Sequence, residues 1–381
     1  MDRVRENREK TGKKRAKKAL LCLLLAAILS FCGCTTAKTE QQPSAETSPP
    51  KKSSSAGFFS EEEQGAPPSQ SPADPSLGLE DPSLSLEDPT LSPASPHPTT
   101  PHSDPADDTP YFKPEGEGAG TVAVWWWNKG HAAKANRKKY LDFLQKNGVN
   151  EIYICWPDFK SAHLADFVKA AGEKGMGVSL LSGDASWIDP QNDGADAVIN
   201  AFLEYQKGAG EGERLLSLHM DVEPHQLSDF STNRQKILQN YADFVVKTAE
   251  KVRNEGELIA WDIPFWFDEF TVKRGEEQLP LLDLLAQNAD VLCLMSYRDS
   301  AQAVLECAQK ELTVGKRYGC QVICGVETHS AEGDHVSFME EGKAYMYQEC
   351  AALYEALSKQ LDEGKYGIAV HYLETWYKLK D

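Results

Sequence analysis

From Thr121 onward, short apolar runs alternate with longer stretches whose apolar residues recur at helical spacing. The runs are TVAVWWW, NEIYICW, GVSLLSG, LLSLHMDVE, ELIAWDIPFW, ADVLCLMSY, CQVICGVE and YGIAVHYLE. Runs of this kind predict strands. The stretches between them, 133–147, 161–174, 194–208, 233–255, 279–287, 300–317 and 345–362, predict helices. Gly148, Gly175 and Gly319 stand where helix C-terminal stops belong. Strand alternating with helix gives a parallel sheet. Eight such units in about 250 residues match the count and size of an α/β (β/α)8 TIM barrel. An open doubly wound sheet is the alternative, but no glycine-rich phosphate loop follows the first strand, where that fold usually carries one.

The fourth run sets the problem. Successive strand residues point to opposite faces, so Leu216, Leu218, Met220 and Val222 share one face. Ser217, His219, Asp221 and Glu223 share the other, and Pro224 follows. Active sites of such barrels lie at the C-terminal ends of the strands. Those ends carry Trp125–Asn128, Trp156 and Asp158, Ser182, Asp184 and Trp187, Asp221 and Glu223, and Asp262 with Trp266. The last three carry Tyr297–Asp299, Glu327 and His329, and Tyr372, Glu374 and Trp376. All eight tryptophans lie on or just after predicted strands, most at those ends.

The N-terminal third is different material. A basic segment, MDRVRENREKTGKKRAKK, precedes ALLCLLLAAILSF, residues 19–31. That apolar run is shorter than the ~20 residues of a spanning helix and fits a secretory signal. FCGCTT follows and resembles a bacterial lipobox, with Gly33 before Cys34 as the lipidated residue. Residues 1–33 are therefore expected to be a lipoprotein signal peptide. Residues 34–117 are rich in Pro, Ser, Thr and acid, and repeat DPSLGLE, DPSLSLE and DPTLSPA. Each repeat carries a proline, which excludes a heptad helix. The segment is expected to be a disordered acidic tether reaching on the order of 50 Å. The expected site of work is the outer face of the cytoplasmic membrane, with the lipid anchor as the sole membrane contact.

Of the net charge of −18, the leader holds +6, residues 35–117 hold −11, and the barrel domain, 118–381, holds −13. An acidic domain argues against nucleic acid as a partner. Its six cysteines, Cys155, Cys293, Cys307, Cys320, Cys324 and Cys350, show no metal spacing and read as small buried hydrophobes. No HExxH-like pattern surrounds His225, Asp229 or His329. Neither metal nor other cofactor is expected, and the chain is expected to be a monomer.

A buried polar row is costly as mere structure. At a barrel mouth it can be an acid catalyst with its supporting groups. Close carboxyls raise one pKa of a pair, and a glutamic acid protonated near neutrality is the general acid of glycoside cleavage. Indole faces suit sugar rings, so Trp125, Trp127, Trp156, Trp266 and Trp376 are candidate substrate contacts. Asp262, by parity with Leu258 and Ala260, is a candidate lumen carboxylate, and Arg298 a candidate cleft residue. His219 reads as a packed lumen histidine one pleat below Asp221.

These features resemble glycoside hydrolase barrels, most of all family 18, the chitinase-like group. That family carries Asp-x-x-Asp-x-Asp-x-Glu on the fourth strand, an M-x-Y-D-type sixth strand and a tryptophan at the eighth. HMDVEP supplies the final Asp-x-Glu as Asp221 and Glu223, and LMSYRD supplies Met295 and Tyr297, with Asp299 one residue late. Leu216 and His219 stand at the positions of the two upstream acids. The resemblance implies Glu223 as acid, Asp221 as its partner, Tyr297 steadying an N-acetyl group, and Trp376 as the strand-8 tryptophan.

Glu223 with Glu327 also resembles the acid and nucleophile pair of the large clan of retaining barrel glycosidases, with Val222 where that clan has Asn. The Asp-x-Glu is similar to that of family 25 lysozymes too. The leading expectation is a cell-surface glycosidase acting on a β-linked glycan, N-acetylated sugars included. A glycan-binding barrel without turnover is the alternative, and a metal-dependent amidase or deacetylase a third class.

Overall fold

The computed structural model describes residues 119–156, 162–330 and 335–381. The leader, Cys34, the tether and Asp158 lie outside the described residues. Eight parallel strands close into a barrel: β1 (Thr121–Trp126), β2 (Glu151–Cys155), β3 (Gly177–Ser182), β4 (Ser217–Met220), β5 (Leu258–Pro264), β8 (Val291–Met295), β9 (Gln321–Glu327) and β10 (Tyr366–His371). They follow one another around the cylinder in chain order, and β10 pairs with β1 through Thr121–Gly367 to Val124–Val370. Helices return between strands, among them α1 (Lys129–Ala132), α2 (Arg137–Lys146), α3 (Ala162–Gly172), α4 (Gly194–Gly208) and α5 (Phe230–Asn254). After β5 come α6 (Leu281–Gln287), α7 (Ala301–Cys307), α8 (Gln309–Tyr318), α9 (Lys343–Gln360) and the short α10 (Leu373–Lys378).

Strand alternation divides the apolar residues into two cores. Val122, Val124 and Trp126 of β1, and Leu218, Met220 and Val222 of the fourth run, pack outward beneath the helices. Ala123, Trp125, Tyr153, Leu181, Cys293, Ile323 and Ala369 fill the lumen. The fourth-run parity therefore holds, save that Leu216 stays 40% exposed. Gly148, Gly175 and Gly319 adopt positive φ at or just past helix ends, a conformation glycine enters without Cβ strain.

Two details differ from the sequence reading. Residues 271–280, in part assigned to a helix, form an antiparallel hairpin, β6 (Thr271–Arg274) with β7 (Glu277–Pro280). Its two-residue turn begins at Gly275, φ 64°, the position where a type II′ turn wants glycine. The predicted helix 300–317 is two helices, α7 and α8. All six described cysteines are free.

Candidate active site

The lumen is polar from its base upward. At the bottom, Ser217 Oγ donates to Ser179 Oγ (2.9 Å), which donates to Glu151 Oε1 (2.6 Å). One pleat higher, the His219 ring lies over Tyr153, centroids 4.0 Å apart. Its Nε2 stands 2.8 Å from Asp262 Oδ1, with both residues essentially without solvent exposure. Trp125 Nε1 donates to the other oxygen, Asp262 Oδ2, at 3.1 Å. The strand register explains the meeting. His219 pairs with Ala260 and Met220 with Trp261, so the next step sets Asp221 beside Asp262, and His219 reaches Asp262 diagonally across the barrel tilt.

Above this floor the chain leaves the sheet. Asp221 N–H donates to Ser182 O at 3.0 Å, and Glu223 precedes a short 3-10 turn, Pro224–Gln226. Asp221 is half-buried, and its Oδ1 has no hydrogen-bond partner. Burial, then the charges of Asp262 and Glu223, push its carboxyl well above the usual range. Glu223 keeps 19% of its side chain exposed. Burial, then Asp262, push its carboxyl up to about 7, with His371 opposing. Gln226 Nε2 donates to Glu223 Oε2. His225 Nε2 is 3.6 Å from Glu223 Oε1, beyond hydrogen-bond range. Burial lowers His225 to about 4, so it faces Glu223 as a neutral ring.

The opposite wall comes from β9 and β10. Glu327 Oε1 accepts from the Thr328 and His329 amides, each at 2.7 Å. His371 Nδ1 lies 2.7 Å from Glu327 Oε2. Trp127 Nε1, a donor only, is 3.2 Å from His371 Nε2. That nitrogen must therefore accept, which places the ring proton on Nδ1, donating to Glu327. Three donors fix Glu327, which makes it an anchor for the loop after β9 and for His371. Tyr297 stacks on His371, centroids 5.5 Å apart. Burial first, then Glu327, Asp262, Asp221 and Glu223, hold its phenol proton on. A Cβ at Gly325 would come within 3.1 Å of the Trp125 ring and 3.2 Å of Tyr297, so glycine there admits both rings.

The structure thus brings Glu223, Asp221, Asp262, Tyr297 and Trp125 into one group around the lumen mouth, with Glu327 on its far wall. His371 joins them. Parity with Gly367 and Ala369 was the signal for it, but the sequence reading stopped at Tyr372.

The tryptophan rim needs correction. Trp156 is buried against Phe167 of α3, and Trp376 is fully buried against Phe143 and Tyr347. Neither offers a face to a sugar, because each points into the layer between strands and helices. Trp125 is buried as well, an indole floor bonded to Asp262. Trp127 and Trp266 are half-buried, the latter against His225. The Arg298 guanidinium lies over Phe265 and donates to Tyr297 O at 2.7 Å.

His219, Asp262 and Cys293 place a nitrogen, an oxygen and a sulfur within 4.8 Å of one another. The 2.8 Å approach of His219 to Asp262 is shorter than the roughly 3.3 Å between two ligands of a tetrahedral zinc. That approach is a contact and not a hydrogen bond: both His219 ring nitrogens and Asp262 Oδ1 are buried without a hydrogen-bond partner.

No family model and no curated protein matches this chain. Among solved structures it resembles a family 18 chitinase from Cycas revoluta in complex with (GlcNAc)3, with TM-score 0.44 and 11% identity over 67% of this chain and 96% of that one. It also resembles the Group II chitinase catalytic domain 2 from Ostrinia furnacalis, with TM-score 0.41 and 13% identity over 66% and 89%. At identities this low the likeness says nothing of the chemistry, which stands on the side chains themselves.

Proposed function

We propose that this chain is a glycoside hydrolase working outside the cytoplasmic membrane on a β-linked glycan, N-acetylated sugars included. Glu223 is its general acid. The carrying observation is one carboxyl at the mouth of a polar lumen, partly open to solvent, whose proton is held to about pH 7 by burial and Asp262. Such a group can donate as the bond from anomeric carbon to leaving oxygen breaks. The departing alcohol carries the proton away, and water entering at the open mouth then adds its hydroxyl to the anomeric carbon and returns its proton to the glutamate. Asp221, its carboxyl pushed well above the usual range by burial, lies below as partner. The Tyr297 hydroxyl, and the half-buried rings of Trp127, Trp266 and Tyr372, are placed to contact the sugar. The Asp-x-Glu and M-x-Y resemblances support the same assignment.

The pH profile tests it. The active form is protonated Glu223, so kcat/KM is expected to fall about tenfold per pH unit above about 7. A profile flat to pH 9 on a β-linked chromogenic glycoside would remove Glu223 as the acid.

The same reading makes the protein a monomer, anchored by lipid on Cys34 alone and without a nucleic-acid partner. Cys34→Ala should move it from the membrane fraction to the medium and abolish labelling by a palmitate analogue. Unchanged fractionation and labelling would refute the anchor.

A further inference from the structure

Glu327 and His371 are register partners on β9 and β10, and Trp127 is the first residue beyond β1. Three adjacent strands thus deliver one continuous line of hydrogen bonds. The Thr328 and His329 amides donate to Glu327 Oε1, His371 Nδ1 donates to Oε2, and Trp127 Nε1 donates to His371 Nε2. Rings hold the imidazole from its other sides. Tyr297 stacks on it at 5.5 Å, and Trp125 and Tyr372 meet it edge-on at 5.5 and 4.9 Å. The Thr328 N–H and hydroxyl donate to the His371 carbonyl, which fixes its backbone too.

We propose that Glu327 and His371 are positioning residues: through this line they set the Trp127 indole as the platform on which the sugar stacks, and Glu327 is not a nucleophile. This rests on the reading of the mouth as a glycan site, and it gives the strand-7 glutamate a task other than attack. A nucleophilic carboxylate needs an oxygen free to approach the anomeric carbon. Both Glu327 oxygens are engaged, by three donors, and its side chain is only 9% exposed. The open end of the line is Trp127, which is half-buried. An indole whose N–H is tied to a fixed acceptor keeps one ring orientation, so a sugar meets a surface whose ordering cost is already met.

The line also has a direction. Indole N–H can only donate, so one tautomer of His371, with its proton on Nδ1, serves both bonds. Glu327 Oε2, as acceptor, selects that tautomer. Glutamine at 327 would keep an oxygen for the two amides and turn its NH₂ toward Nδ1. Nδ1 must then accept, the ring proton moves to Nε2, and it opposes the Trp127 N–H. A nearly isosteric change therefore reverses the line and releases the indole.

The test is Glu327→Gln in the full chain. Nitrogen-15 NMR of the imidazole reads the His371 tautomer without needing turnover, and the proton is expected to move from Nδ1 to Nε2. For an oligomer of β-linked N-acetylglucosamine, KM and the calorimetric Kd are expected to rise roughly five- to tenfold, the worth of one lost hydrogen bond. A loss confined to binding leaves kcat within about threefold. A kcat that falls by several orders of magnitude at unchanged Kd identifies a nucleophile and overturns the proposal. So does an unmoved tautomer or an unmoved Kd in the folded variant. If Glu327→Gln does not fold, two substitutions at 371 take its place. His371→Gln puts an amide near the Nε2 position and keeps an acceptor for Trp127, whereas His371→Asn puts it near Nδ1 and reaches Glu327 alone. Weaker binding by the asparagine variant is expected, and equal affinities overturn the proposal. A Kd that rises on tautomer reversal in a protein that hydrolyses no glycan keeps the platform and sinks the glycosidase reading. Hydrolysis lost in Glu223→Gln with an unmoved Kd in Glu327→Gln does the reverse.

Discussion

Replacing Glu223 by glutamine is expected to lower kcat for glycan hydrolysis by about 10³-fold, within the range ascribed to general acids, with KM changed by no more than a few-fold. Glutamine keeps the side chain's shape and an oxygen for Gln226, but it has no acidic proton to give. Binding should therefore survive, which calorimetry with an oligosaccharide measures separately from turnover. A substrate with a good leaving group, such as a nitrophenyl glycoside, needs little protonation and should lose less. Equal losses on both substrates would mean that the substitution disturbed binding geometry. If the wild type binds glycan without hydrolysing it at all, the barrel is a binder and Glu223 a contact.

The same variant has a second consequence, in stability. Burial, then Asp262, push the Glu223 carboxyl up to about 7 from an ordinary 4.5. Between those values the folded protein holds a proton that the unfolded chain has released, so stability falls as pH rises through that window. The contribution is fully present below 4.5 and gone above about 7. Glutamine does not ionise, so Glu223→Gln should be more stable than wild type near pH 8, by up to ~3 kcal/mol, and no more stable at pH 4. Denaturant melts at the two pH values check this. The carboxyl that carries activity when protonated is thus one the fold would do better without once it ionises, a usual trade at active sites.

How far the sequence carries can be seen residue by residue. The lumen face of the fourth strand was legible because period-two alternation is local: Leu218, Met220 and Val222 demanded one core, and His219 and Asp221 were left to the other. The tryptophans misled for the opposite reason. Lying near a strand end along the chain does not say which way a ring points, and Trp156 and Trp376 turn into the helix layer. The approach of His219 to Asp262 was invisible, since it needs the register of β4 against β5 and a diagonal reach. Single-strand patterns hold no register. His371 sits one residue before the aromatic that drew notice, and its role depends on Trp127 and Glu327 from two other strands. The 271–280 hairpin was hidden because its alternation is weak and charged, and its Gly275 turn was the one local clue.

Gly183→Ala is expected to cost about 3–5 kcal/mol, at the extreme of single substitutions, and to take most of the activity with it. A Cβ built at Gly183 would lie 1.5 Å from the carbonyl oxygen of Asp221 and 2.3 Å from its carbonyl carbon. Those are backbone atoms, so no rotamer change can relieve the clash. The ends of β3 and β4 must part, which breaks the Asp221 N–H bond to Ser182 O. Asp221 then moves, and Glu223 two residues on moves with it. A displacement near 1 Å at the acid costs on the order of 10² in rate by misalignment alone. Separation from Asp262 should also lower the Glu223 midpoint, so the loss should be steeper at pH 8 than at pH 5. Gly208→Ala is the control: it closes α4, and its added Cβ meets nothing within 4 Å. Guanidinium melts of the two variants should diverge by several kcal/mol, with Gly208→Ala at or slightly above wild type. Two melts that coincide would show that the strand 3–strand 4 approach is looser than its backbone contacts require, and the placement of Glu223 would lose its support.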